Sequence, residues 1–235
     1  MIAAAAFCPY PLLLVPELAG GAAAELDPVR DACRKALTDV HAAADRLVLI
    51  GAAPTSRFHS PVARGSLSGH GVAVDLQLGS PACGGSLELP LSLTVGAWLV
   101  AQAVGDRTGA VGFSVGPEFA STRAALDLLA LAETERVGLV VMGDGSARRS
   151  STAPGYLDAR AEPFDTAVVD ALRDGDGEAL ANLDEPLGAE LLAAGVPAWR
   201  AAGALLAGGE FDAELLYAAA PYGVGYFVAQ WLARG

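Results

Sequence analysis

Apolar residues fall into two rhythms along this chain, short β-type runs and longer stretches with a helical repeat. Ile2–Phe7, Leu47–Ile50, Val72–Leu78, Gly109–Val115 and Val137–Met142 are compact apolar runs, most of them bounded by Gly or Pro, and each predicts a strand. Between the first two, Asp27 is placed to cap a helix and Pro28 to sit in its first turn. Val29, Cys33, Leu37 and Val40 then share one face, which predicts a packing helix. A second helix is predicted between Leu91 and Val104. A third is predicted from Pro117, with Phe119, Ala125, Leu126 and Leu129 turned inward before the acidic stretch at Glu133 and Glu135. Strands alternating with helices predict an α/β fold, a single domain with a central mixed β-sheet flanked by helices.

After the fifth strand the rhythm changes. Ser146–Arg160 is a long polar segment containing Pro154 and Gly155, and loops of that length usually carry function or move. Short helical pieces follow at Phe164–Arg173, Glu178–Leu183, Pro186–Ala194 and Pro197–Leu206. Two late strands, Glu214–Ala219 and Val224–Trp231, are expected to close the sheet around the turn at Pro221-Tyr222-Gly223. No internal repeat and no low-complexity linker interrupts the pattern.

Composition narrows the setting. The 235 residues suit one α/β domain, and 53% are hydrophobic, yet no run of about 18 apolar residues marks a membrane span. The opening segment lacks a basic leader, and Pro9, Pro11 and Pro16 break the helix that a signal peptide needs, so Met1–Leu14 is read as a retained first strand. A formal charge of −12 repels phosphate backbones and anionic lipid, which argues against nucleic-acid and membrane partners. Cys8, Cys33 and Cys83 are odd in number and widely spaced, which points away from disulfides and zinc knuckles and toward a reducing cytoplasm.

Several residues could carry chemistry. Gly112-Phe113-Ser114-Val115-Gly116 has the form of a nucleophile elbow at a strand end, but His41, His59 and His70 all precede the serine, against the chain order of α/β-hydrolases. A structural turn is the better reading. His59, His70 and Asp75 form a loose cluster whose spacing matches no metal motif. The two histidines are expected to face solvent or brace a loop, and His41 to sit at a helix end. Arg57 and Arg64 nearby can bind a carboxylate or simply balance local charge. The turn Gly143-Asp144-Gly145-Ser146 lies at the carboxyl end of a strand, where open α/β sheets place their ligand crevice, although Asp and Ser also bind backbone amides in turns. Arg148, Arg149, Tyr156, Asp158 and Arg160 follow, either reading an anionic or hydroxylated small molecule or forming surface ion pairs.

Four short segments together carry a resemblance: Cys8-Pro9-Tyr10-Pro11-Leu12-Leu13, Gly143-Asp144-Gly145-Ser146, Ala153-Pro154-Gly155-Tyr156-Leu157-Asp158 with Phe164-Asp165, and Ala220-Pro221-Tyr222-Gly223-Val224-Gly225-Tyr226. Across nearly the whole chain they resemble the class III extradiol ring-cleavage dioxygenase superfamily, which holds the protocatechuate dioxygenase β-subunit and the Memo-type proteins. The nearest likeness is to an actinobacterial branch without the usual metal ligands. In active members the resemblance implies Fe(II) held by two histidines and a glutamate, with a further histidine as acid/base beside a bound catechol. Here it places Tyr10 and Ala53 at the histidine positions, Gly195 or its neighbour at the glutamate position with Glu190 as a distant substitute, and Ala147 at the acid/base position.

Phenol, methyl and hydrogen in place of those donors remove most of what a non-haem iron centre needs. The expectation is therefore a metal-free, degenerate dioxygenase-fold protein that needs no cofactor and binds a small molecule or acts in regulation. Its pocket would be lined by Tyr10, Ala53, His59, Asp144, Ser146, Ala147 and Tyr222. Two alternatives stay open. One is an active Fe(II)-dependent ring-cleavage or related enzyme whose ligands have moved to residues such as His59, His70, Asp144 and Glu190. The other is a Memo-like protein-binding module, for which exposed apolar or tyrosine-rich patches are the expected sign. The tail strands and exposed apolar surface would also allow a homodimer.

Overall fold

The five innermost apolar runs lie side by side because each is buried on both faces, which calls for continuous rather than alternating hydrophobicity. A computed structural model describes residues 1–79, 89–105, 109–116, 130 and 133–234. Its strands are β1 (Ile2–Cys8), β2 (Arg46–Ala52), β3 (Arg57–His59), β4 (Arg64–Ser66), β5 (Asp75–Gln77), β6 (Val111–Val115), β7 (Val137–Met142), β8 (Phe211–Ala219) and β9 (Tyr226–Ala233). Seven form a mixed sheet in the order β3-β6-β2-β7-β1-β9-β8. The centre, β6, β2, β7 and β1, is parallel. Antiparallel strands close both sides, β3 beside β6 and the β8–β9 hairpin beside β1.

Helices cover both faces. On one lie α2 (Asp27–Ala43), following the single turn α1 (Pro16–Ala19), and α3 (Leu91–Val104); on the other lie α4 (Ala161–Asp174), α5 (Gly177–Ala181), α6 (Glu185–Glu190) and α7 (Val196–Leu206). The period-two rule divides every central strand between the two cores. Phe7, Val48, Ile50, Leu139 and Val141 pack toward α4 and α7, while Ala6, Cys8, Leu49, Val140 and Met142 pack toward α2 and α3. Phe7 and Trp231 meet at 4.9 Å between ring centroids in the first core, and the indole N–H of Trp231 donates to Leu172 O at 2.7 Å. This is the α/β arrangement that the sequence predicts.

Several local expectations give way. Val72–Leu78 is a strand only over Asp75–Gln77, and that piece pairs with β4 in a separate two-stranded ribbon, because backbone bonds from Val74 to Val72 and from Leu67 to Val74 turn the chain before it can reach the main sheet. Asp27 does not cap α2. Leu26, at the end of a 3₁₀ stretch (Gly20–Leu26), holds the cap position, and Asp27 instead accepts a 2.6 Å bond from Arg30. The first strand ends at Cys8, and the piece predicted at Pro186–Ala194 is helical only to Glu190. The predicted helix from Pro117 and Cys83 lie outside the described residues. Cys8 and Cys33 are free, buried thiols that meet between β1 and α2, where burial followed by contact with Cys8 pushes the Cys33 thiol well up. Among the described residues, no helix is long and apolar enough to cross a membrane.

Candidate functional site

Parallel strands place their carboxyl ends along one edge of the sheet, and that edge is where the chemistry-bearing turns gather. Tyr10 follows β1, Ala53 follows β2, Asp144 follows β7, and Ser114 is the penultimate residue of β6. Two groups form along the edge, one beyond β1 and β7, the other beyond β2 and β6.

In the first group the Tyr10 backbone N–H donates to Asp144 Oδ1 at 2.9 Å. Burial drives the Asp144 carboxyl from its ordinary 3.8 up to about 7, against the opposing pull of that hydrogen bond. The hydroxyls of Tyr10 and Tyr226 are pushed up first by burial and then by the Asp144 charge. Tyr222 packs against the same core, and its hydroxyl reaches out to Glu25 Oε2 at 2.9 Å. The structure thus joins Tyr10 to Asp144, while Tyr10 and Tyr222 both pack against one core. Tyr226 joins them without having been singled out, since a tyrosine in an aromatic strand reads as core.

Ser146 and Ala147 lie deeper. Ser146 is completely buried, its hydroxyl donates to Leu191 O at 2.8 Å, and its N–H donates to Asp165 Oδ1 at 2.8 Å. Ala147 is bonded through its backbone to Leu191 and Gly155. Both serve the turn rather than an open surface. Asp165 is the residue that sequence reasoning missed. Its other oxygen accepts from Arg149 Nη1 at 2.9 Å, and burial raises its carboxyl above the usual range despite Ser146 and Arg149. The available signal was an acidic residue beside Phe164 on the inward face of a helix. The remaining arginines of the polar segment are also engaged within the chain: Arg148 with Gly155 O at 2.7 Å, and Arg160 with Asp158 and Glu190.

The second group surrounds a cleft of about 450 Å³, with walls that include Ala53, Arg57, His59, Arg64, Leu89 and Ser114. His59 is 2% exposed and its Nε2 lies 3.2 Å from Ser114 Oγ. The two are brought together because Arg57, Phe58 and His59 run antiparallel to Ser114, Phe113 and Gly112. Alternation then turns Arg57, His59 and Ser114 to one side, and leaves the tilted rings of Phe58 and Phe113 with their centroids 5.2 Å apart on the other. His59 is buried within β3 rather than solvent-facing, while His70 is exposed on a short 3₁₀ turn (Ser68–His70) and joins neither group.

A serine beside a histidine invites comparison with a nucleophile. Chain order would have excluded the pair, yet an antiparallel edge strand supplies the histidine from upstream. Ser114 Oγ has two backbone carbonyls to donate to, Thr55 O at 2.9 Å and Arg57 O at 3.4 Å, besides its 3.2 Å contact with His59 Nε2, whose donor and acceptor roles follow the histidine tautomer. The flanking glycines answer to packing: a Cβ at Gly116 would lie 3.1 Å from the backbone of Pro54, Thr55 and Ser56, and one at Gly112 would lie 3.0 Å from Leu78. Through Thr55, Ser114 ties the loop after β2 to β6.

Iron does not fit the donors present. Tyr10 offers one phenol of raised pKa and Ala53 offers nothing, while a Cβ at Gly195 would lie 2.6 Å from the Trp199 ring. Nor are the displaced candidates His59, His70, Asp144 and Glu190 gathered. Among the described residues no group of three His, Cys, Asp or Glu is arranged to hold a metal ion.

No protein-family model matches the chain, and no curated protein matches it in sequence. Among solved structures it is similar to the uncharacterized protein JW3007 from Escherichia coli K12, with 13% identity, a TM-score of 0.46, and coverage of 97% of this chain and 99% of that one.

Proposed function

We propose that this chain is a small-molecule-binding protein on an extradiol-dioxygenase-like scaffold, that it works without the iron chemistry of that superfamily, and that its ligand seats in the cleft beyond β2 and β6. The observation that carries this reading is the cleft itself. At about 450 Å³ it falls within the size range of ligand pockets. It opens at the carboxyl edge of the sheet, and its wall holds a buried, hydrogen-bonded His59–Ser114 pair that fixes polar groups in place before any ligand arrives.

A fragment library screened by thermal shift tests the proposal against three proteins: the natural chain, Ala53→Trp, which fills the cleft, and Tyr10→Ala, which opens the neighbouring corner. Ligands in the cleft stabilise the natural chain and Tyr10→Ala but not Ala53→Trp. The reverse pattern would move the site to the Tyr10 corner. Stoichiometric iron in protein purified without chelator, together with catechol cleavage after anaerobic Fe(II) loading, would replace the binding reading with the enzymatic one.

A further inference from the structure

We propose that Cys8 and Cys33 are an oxidisable dithiol, which a peroxide closes to a disulfide that staples α2 to the end of β1. Spacing in sequence points away from a disulfide framework, yet the fold brings these two free cysteines together.

Each thiol is placed by the element that carries it. In β1, alternation turns Ala4, Ala6 and Cys8 toward the core that α2 covers, and in α2, Cys33 lies on the buried face with Val29, Ala36, Leu37 and Val40. Their positions along the sheet agree as well. Gly138 is level with Ala4 in the β1–β7 register, and a Cβ on it would lie 2.8 Å from Val40 Cγ1, so Val40 sits over the start of β1. From there α2 runs backward in sequence toward the strand end, since β1 and β2 both pair parallel with β7 and the helix between them must return. Going from Val40 back to Cys33 covers about 10 Å of helix, and going from Ala4 forward to Cys8 covers about 13 Å of strand. The two thiols therefore arrive within about one strand residue of each other, and they are in hydrogen-bond contact.

Both side chains are buried, so oxidation needs a local opening. The chain between them allows one: residues 9–26 form 3₁₀ stretches and a single helical turn, held by local bonds such as Leu14 N–H to Pro11 O at 3.0 Å and by Arg30 of α2, which donates to Leu14 O at 3.2 Å and to Ala23 O. A segment of this kind opens at lower cost than the sheet or α2, and its movement uncovers Cys8 at the strand end. The Cys8 thiol then gives its proton to water and its sulfur attacks one peroxide oxygen; the O–O bond breaks, Cys8 becomes a sulfenic acid, and the departing hydroxide takes up that proton as water. On reclosure Cys33 Sγ attacks the Cys8 sulfur, the S–S bond forms, the S–O bond breaks, and the hydroxide released leaves with the Cys33 proton as a second water. Two thiols and one peroxide give one disulfide and two waters. The bridge encloses residues 9–32 and fixes the strand end whose Cys8 O accepts Gly143 N–H at 2.9 Å.

The test treats the natural chain with hydrogen peroxide, both folded and in urea, blocks the remaining thiols, and maps tryptic peptides without reduction. In the folded protein the dominant linked product is expected to be Met1–Arg30 joined to Asp31–Arg34, since trypsin cuts between the two cysteines at Arg30. The intact chain loses about 2 Da and regains it with dithiothreitol. In urea the pairings should be mixed and include Cys83. Cys83→Ser should leave the folded product unchanged, while Cys8→Ala and Cys33→Ala, each checked for an unchanged circular dichroism spectrum, should abolish it. The bridged protein should also melt several degrees above its reduced form. Sulfenic or sulfinic acid without a linked peptide, linkage through Cys83 in the folded chain, or no oxidation short of unfolding would each overturn the dithiol. A bridge that lowers the melting temperature would overturn the staple, because it would show that α2 and β1 must separate to accept it.

Discussion

Tyr10 and Asp144, 134 residues apart in sequence, are joined by a 2.9 Å hydrogen bond from the Tyr10 backbone N–H to Asp144 Oδ1. The bond pins the loop after β1 to the loop after β7, two strands that pair in parallel. A carboxylate at the carboxyl edge of a sheet might have been free for a ligand. Here it holds the scaffold and is itself poorly solvated.

That environment makes Asp144 a source of pH-dependent stability. Its carboxyl titrates near 7 in the folded protein against 3.8 in the unfolded chain. Between those values the folded state retains a proton that the unfolded state loses, so stability falls as pH rises through that window, by at most about 1.4 kcal/mol per pH unit from this group. Asp144→Asn keeps an oxygen for Tyr10 and removes the ionisation. Urea denaturation should give the variant a flatter profile and an advantage of about 2 kcal/mol at about pH 8. Identical slopes for the two proteins would remove Asp144 from the account.

Asp165 should matter more to stability than any residue that the sequence marked in this region. It is 1% exposed, it receives Ser146 N–H and Arg149, and Gly145 and Gly225 approach so closely that a Cβ on either would lie within 2.8 Å of its oxygens. Asp165→Ala strands both donors and is expected to cost about 3 kcal/mol in denaturant unfolding. Ser146→Ala, which takes a donor from Leu191 O and an acceptor from Arg148 N–H, should cost about 1–2 kcal/mol. A larger loss for Ser146→Ala than for Asp165→Ala would reverse this ranking.

Ser114→Ala separates brace from nucleophile. If the hydroxyl ties Thr55 and His59 together, its removal costs about 1 kcal/mol of stability by taking a partner from the buried His59 and from the Thr55 carbonyl. Hydrolysis of p-nitrophenyl acetate by the natural chain and by the variant should then be the same. Esterase activity present in the first and lost in a folded Ser114→Ala protein would make Ser114 a nucleophile after all.

The legible parts of this molecule are those in which one residue type answers to one local cause. Apolar runs such as Val137–Met142 announce strands buried on both faces, and Val29, Cys33, Leu37 and Val40 announce the inner face of α2, which is fully buried. The Tyr10–Asp144 corner was legible because both residues follow strand ends. The cleft was not. It depends on β3, three residues long and too short to show a period, folding back on β6 and carrying His59 to Ser114 across 55 positions of sequence. Asp165 was equally hidden, since a buried carboxylate on a helix is recognised only when its partners from another loop are known.

Gly195 supplies the sharpest test of whether an iron centre could be built into this scaffold. The resemblance expects a carboxylate ligand at or beside this position, but the backbone there touches the exit of β7: Gly195 N–H donates to Asp144 O at 2.8 Å, and a Cβ at 195 would sit 2.8 Å from Gly143 Cα as well as 2.6 Å from Trp199. The reciprocal Cβ on Gly143 would sit 2.7 Å from Gly195 Cα, so the contact leaves no room for a side chain from either partner. Tyr10→His with Ala53→His restores two imidazoles at partly exposed positions and should fold with a loss of about 1–2 kcal/mol. Adding Gly195→Glu forces the start of α7 away from the sheet and buries a charge, for a further loss of more than about 3 kcal/mol. Melting temperatures and metal analysis after anaerobic Fe(II) loading check both steps. A triple variant as stable as the double, holding one iron per chain, would mean that the gap between β7 and α7 can open to admit a side chain.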